Sequence, residues 1–192
     1  MTTPWLTIAE WSGVALGLIY LLLAIREQRS CWIAGAGASL LFLGVFWQAG
    51  LPMQSLLQIY YIAVAVHGWI HWSAGSGGAP PAVHRAPVRM QLISLVLLLV
   101  LATGSVLLQD AGGSLQAWLD SGTSWGGVIA TWLVARKILD AWLYWIAIDA
   151  VSAALYFQTG LLASSALYIL YTVLAFIAWR TWQQSYHSAT AS

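Results

Sequence analysis

Apolar runs of about 20 residues recur from one end of this chain to the other, and that is the length an α-helix needs to cross the hydrocarbon of a bilayer. Seven can be drawn, at roughly 5–25, 32–48, 54–72, 90–108, 115–135, 141–158 and 163–182. Lipid offers no water to backbone polar groups, so such runs fold as helices. Of 192 residues, 60% are hydrophobic and 7% charged, whereas a soluble domain is roughly one-quarter charged. The expectation is an all-α integral membrane protein with little mass outside the bilayer. The fifth run is the least regular, being interrupted by Asp120, Gly122, Gly126 and Gly127. The first has neither a basic leading segment nor a small-residue cleavage site, and is kept as a mature span. A net charge of +1 says nothing about acidic partners, and no nucleic-acid partner is expected of a chain read as lying almost wholly in the bilayer. The single cysteine, Cys31, excludes an internal disulfide.

The basic residues orient the spans. Arg26 and Arg29, Arg85 and Arg89, Arg136 and Lys137, and Arg180 all fall on one side if there are seven crossings. By the positive-inside tendency, that side is the cytoplasm, which puts the N-terminus outside and the C-terminus inside.

The chain also repeats itself. A shift of 110 positions lays Trp32 on Trp142, Gln48 on Gln158, Gly50 on Gly160, Leu51 on Leu161 and Leu57 on Leu167. Without a gap it continues through Tyr61 on Tyr171, Trp69 on Trp179 and Trp72 on Trp182. Upstream it pairs Arg26 with Arg136, Gly17 with Gly127 and Glu10 with Asp120. Three crossings reverse the chain, yet the matched arginines imply copies of like orientation, so one extra crossing must stand between them. The reading is a 3+1+3 arrangement of two parallel three-helix repeats. The first repeat is 5–72, followed by a flexible cytoplasmic linker at 73–89 and a connecting helix at 90–108. The second repeat is 115–182, with a cytoplasmic tail at 183–192. That is a transporter architecture, with its substrate site expected near mid-bilayer.

Polar residues mark the candidate site. Trp142, Trp145 and Asp149 share a helix face with Ser152 and Tyr156, given about 100° per residue. A carboxylate inside a bilayer costs several kcal/mol unless it faces a partner or a wet cavity. Indole faces beside it suit a flat cation, at about 0.5–2 kcal/mol per good contact. Gln54, Gln58 and Tyr61 form a stripe in the first copy, matched by Ser164, Tyr168 and Tyr171 in the second. Gly35 and Ser39 stand where the second copy has Trp145 and Asp149, so only the second copy carries the aromatic and acidic groups. The expected substrate-binding residues are therefore Gln54, Gln58, Tyr61, Trp142, Trp145, Asp149, Tyr168 and Tyr171.

Blander readings stand beside these. The tryptophans and Asp149 could be a membrane-interface belt and an interhelical pair. Trp5, Trp47, Trp69, Trp72, Trp179 and Trp182, at span ends, read as belt rather than site. His67 and His71 have a metal-compatible spacing, but no third ligand is evident and no metal is expected. Gly13 and Gly17 read as helix packing. An intramembrane enzyme would have Asp140 and Asp149 to work with, but these lie on nearly opposite faces of the helix and outside any hydrolase or transferase motif. A scaffold without a small-molecule site is the third class.

Two stretches resemble a family. Gln54-Ser-Leu-Leu-Gln-Ile-Tyr-Tyr-Ile with His67-Gly-Trp-Ile-His-Trp72, and Trp142-x-x-Trp145-x-x-x-Asp149 with Leu155-Tyr156 and Gly160-Leu161, resemble motifs of the Pnu vitamin transporters. The similarity extends from about residue 6 to 182. It implies a SWEET-like 3+1+3 fold and a homotrimer in the bacterial inner membrane. It also implies facilitated diffusion of an unphosphorylated vitamin, nicotinamide riboside foremost and thiamine as the alternative, trapped afterwards by a cytoplasmic kinase. No cofactor is implied.

Overall fold

The computed structural model describes residues 4–73, 81–108 and 114–191. Seven helices run through them: α1 Pro4–Ile25, α2 Cys31–Gln48, α3 Pro52–Ser73, α4 Val88–Leu108, α5 Leu115–Ala135, α6 Ala141–Gln158 and α7 Leu162–Ala191. The expectation of an all-helical protein with seven helices holds. Four of them, α1, α2, α4 and α7, are long and apolar enough to cross a membrane. The other three are of similar length, but they carry the polar residues, among them Gln54, Gln58, Asp120 and Asp149. α7 continues to Ala191, past the expected end at 182.

The 110-residue shift is visible in the backbone. α2 and α6 begin and end at matching positions, α1 and α5 end at matching positions, and α3 and α7 start at them. The aligned Gln-x-Gly-Leu motif acquires a physical reason. Gly50 and Gly160 have φ of 71° and 77°, the left-handed region that glycine reaches without a Cβ penalty. Leu51 N–H donates to Phe46 O and Gly50 N–H to Trp47 O; Leu161 N–H donates to Tyr156 O and Gly160 N–H to Phe157 O. These are paired Schellman caps, with the glycine just past the helix end and a hydrophobic residue following it.

The chain forms two compact units, one reaching to Ala82 and including Ala135–Lys137, the other made of Val83–Val134 and the chain from Ile138 onward. In the first, α2 packs against both α1 and α3. Trp32 and Trp72 meet edge to face with centroids 5.4 Å apart, and the missing side chain of Gly68 gives the Trp32 ring its place against α3. A Cβ on Gly13 would lie 2.9 Å from the Phe42 ring, while Gly17 has no such neighbour. Half of that glycine motif is therefore close packing between helices.

In the second unit, α6 packs on α7, and Trp142 and Trp182 repeat the edge-to-face pair at 5.4 Å. Trp72 and Trp182, expected at the membrane interface, are buried in the two cores at 2% and 0% exposure. Trp5 and Trp47 are exposed.

α4 belongs to this second unit. Trp125 Nε1 on α5 donates to Ser105 Oγ on α4 at 2.8 Å. Of the stretch expected to be flexible, 74–80 lie outside the described residues. The described part, 81–87, is tied down. Ala86 N–H donates to Asp140 Oδ2 at 2.8 Å, Leu139 N–H donates to His84 O, Gln91 Nε2 donates to Ala86 O, and Val83 and Ala86 are buried.

Candidate functional site

Asp149 stands near the middle of α6, where the helix's own hydrogen bonds occupy the backbone and leave nothing to stabilise a carboxylate. It is 5% exposed and makes neither a hydrogen bond nor an ion pair among the described residues. A buried charge in that condition is costly. What surrounds it is aromatic. The phenols of Tyr168 and Tyr171 on α7 lie within electrostatic range of Asp149. Tyr168 stacks on Tyr156, centroids 5.3 Å apart and planes 21° from parallel. Tyr171 stands edge-on to Tyr168 at 5.8 Å. In the second unit Asp149 thus has the phenols of Tyr168 and Tyr171 within electrostatic range, and Tyr156 is the ring partner of Tyr168.

The two indoles of α6 part company. Trp142 is 2% exposed and its ring is engaged with Trp182, in the same relation as Trp32 to Trp72. That duplicated pair makes it a packing element of the core. Trp145 is half-buried and has neither a ring contact nor a hydrogen bond among the described residues. Its face is available for stacking, and Trp142's is not.

In the first unit, Gln54 lies in the first turn of α3 and is exposed, while Gln58 and Tyr61 are half-buried. Tyr61 stands edge-on to Tyr60 at 5.5 Å, and its phenol is within electrostatic range of that of Tyr20 on α1. Sequence spacing gave no reason to choose Tyr20. Nor did it point to Ser55, whose buried hydroxyl bonds Leu51 O, or to its equivalent Ser165, which bonds Ala153 O.

Two other candidates resolve differently. His67 and His71 stack their rings at 5.9 Å, and no group of three or more His, Cys, Asp or Glu side chains gathers among the described residues to hold a metal. Asp140, half of the suggested enzymatic pair, uses its carboxylate to hold the backbone at Ala86.

A half-buried indole, a cluster of phenols and an unpaired acid can bind and release a flat polar molecule; they make no nucleophile–base pair. The family model described as "nicotinamide mononucleotide transporter" matches residues 7–184. The riboflavin/roseoflavin transporter RibM of Streptomyces davaonensis is 30% identical over 182 residues, covering 90% of this chain and 84% of that protein. The nicotinamide riboside transporter PnuC of Escherichia coli is 26% identical over 204 residues, covering 92% of this chain and 85% of that protein. A crystal structure of the vitamin B3 transporter PnuC superposes with a TM-score of 0.70 at 17% identity, over 95% of this chain and 83% of the other. The chain belongs to the nicotinamide mononucleotide transporter family and is a multi-pass membrane transporter rather than an enzyme.

Proposed function

We propose that the protein takes up an unphosphorylated, flat, cationic vitamin, nicotinamide riboside, across the bacterial inner membrane. The observation that carries this reading is Asp149, buried near phenols with no cation or hydrogen-bond donor of its own among the described residues. A pyridinium would neutralise the acid, and Trp145 offers it a free ring face, an arrangement that attracts cations by about 0.5–2 kcal/mol per good contact. Tyr168 and Tyr171 would bond the ribose, and Gln54, Gln58 and Tyr61 are the polar groups of the first repeat proposed for the same task. Trp142 would hold the α6 backbone through Trp182 rather than touch the ligand. The 3+1+3 order with parallel repeats, facilitated diffusion with trapping by a cytoplasmic kinase, a trimeric assembly, and an outside N-terminus with a cytoplasmic C-terminus complete the proposal.

The match to a riboflavin/roseoflavin transporter supports a second reading, a neutral flavin stacked on the same rings. A titration of purified protein with nicotinamide riboside, thiamine and riboflavin decides between them. Saturable binding of nicotinamide riboside, weakened when Asp149 is made Asn, supports the first. Binding of riboflavin alone, indifferent to that change, replaces it with the second.

A further inference from the structure

The chain crosses between its two compact units at three places: at 82/83, at 134/135 and at 137/138. The last two bracket Ala135–Lys137, at the end of α5 and in the turn before α6, which pack with the first unit while the rest of both helices belongs to the second. The first crossing opens the strap 83–87, and that strap is bound to the residues just past the third. His84 bridges in parallel to Ile138, Leu139 N–H donates to His84 O at 2.9 Å, and Ala86 N–H donates to Asp140 Oδ2 at 2.8 Å. All three crossings are therefore gathered at one turn. The covalent chain cannot part, so any motion of one unit against the other passes through this spot.

The turn is held from the first unit as well. Trp72 Nε1 donates to Ala135 O at 3.0 Å. Glu27 Oε2 takes the Lys137 ammonium at 2.8 Å, and that ammonium is 4.7 Å from the centroid of the Trp72 ring. Lys137 is 1% exposed, and Ala135, Ile138 and Leu139 are fully buried. A gate would break this grip at each turnover; a pivot would keep it. Separating a buried ion pair disfavours the separated state roughly a hundredfold or more, and leaving an indole N–H unmet disfavours it roughly tenfold again. Conformations that a protein visits in turn differ in population by about tenfold to a thousandfold, a gap that breaking both contacts would exhaust. We propose that the α5–α6 turn is the pivot about which the two units rock during alternating access, and that Lys137 pins it. This rests on the reading of the protein as a transporter with moving halves, not on which vitamin it carries.

Spin labels test it on the purified full chain, with Cys31→Ala so that only introduced thiols react. Arg26→Cys with Arg136→Cys places labels beside Glu27 and Lys137. Gln48→Cys with Gln158→Cys places them at the far ends of α2 and α6, and all four side chains are exposed. Each of these helices has 18 residues, so its far end lies about 27 Å from the turn, and a rotation of about 10–15° carries it roughly 5–7 Å. Saturating nicotinamide riboside should shift the Gln48/Gln158 distances by that amount and the Arg26/Arg136 distances by less than about 2 Å. Lys137→Met should broaden the Arg26/Arg136 distances even without ligand, and an unbroadened distribution removes Lys137 from the role. A ligand-driven shift at Arg26/Arg136 as large as that at the far ends makes the turn a gate and overturns the proposal. So does a chain in which neither pair moves with nicotinamide riboside, thiamine or riboflavin. If riboflavin alone moves the far pair and leaves the near one still, the pivot stands and the nicotinamide riboside reading falls.

Discussion

Lys137 Nζ lies 2.8 Å from Glu27 Oε2, and these two residues occupy equivalent positions in the two repeats, each with φ of 56°. The left-handed residue past a helix end is usually Gly or Asn, and a side chain with a Cβ costs about 1–2 kcal/mol there. Both repeats tolerate that cost at the same turn. Lys137 is 1% exposed, and its ammonium also sits 4.7 Å from the centroid of the Trp72 ring, whose indole N–H donates to Ala135 O. The side chains, then, are what the strained backbone is kept for. Removing one partner of a buried pair leaves the other charge unpaired, so Lys137→Met should destabilise by about 2–4 kcal/mol. Thermal melting in detergent should fall by several degrees, and the exchange Glu27→Lys with Lys137→Glu should recover at least half of the loss. A melting point unmoved by Lys137→Met would mean the pair contributes nothing.

Asp149→Asn keeps the shape of the side chain and removes its charge. If the ligand is a cation, its affinity should drop by about tenfold or more, since a close charge in a poorly solvated site is worth at least 1–2 kcal/mol. Calorimetric titration would read it, and a neutral ligand should bind as before.

The two indoles of α6 should separate in their effects. Trp145→Ala should weaken ligand binding about tenfold with little change in melting temperature. Trp142→Ala removes half of the Trp142–Trp182 pair and should destabilise by about 3–5 kcal/mol. If Trp145→Ala melts early and binds normally, the assignment of roles is reversed.

Asp140→Ala would leave the Ala86 N–H, now 2.8 Å from Asp140 Oδ2, without an acceptor, at a cost of about 1–3 kcal/mol. Hydrogen exchange at 83–87 should quicken more than elsewhere. Uniform protection across that segment would show that the other contacts hold it unaided.

Much of this fold is legible in residue order. The repeat is readable because Trp32, Gln48, Gly50 and Trp72 each recur at the same spacing, and the structure supplies the reason in matched caps and matched ring pairs. That Asp149 shares a face of α6 with Ser152 and Tyr156 is legible from helical spacing. Glu27 and Lys137 were not, because a charged residue carries no local signal for a left-handed turn. The burial of Trp72 and Trp182 was equally hidden, since a tryptophan near a span end is ordinarily interfacial and only tertiary packing makes it core.

The caps at Gly50 and Gly160 bear on how such a transporter can change its diet. Both copies leave their second helix by the same hydrogen-bonded turn, so the third helix departs at a set angle whatever side chains it bears. New selectivity then arises by replacing side chains on a fixed frame.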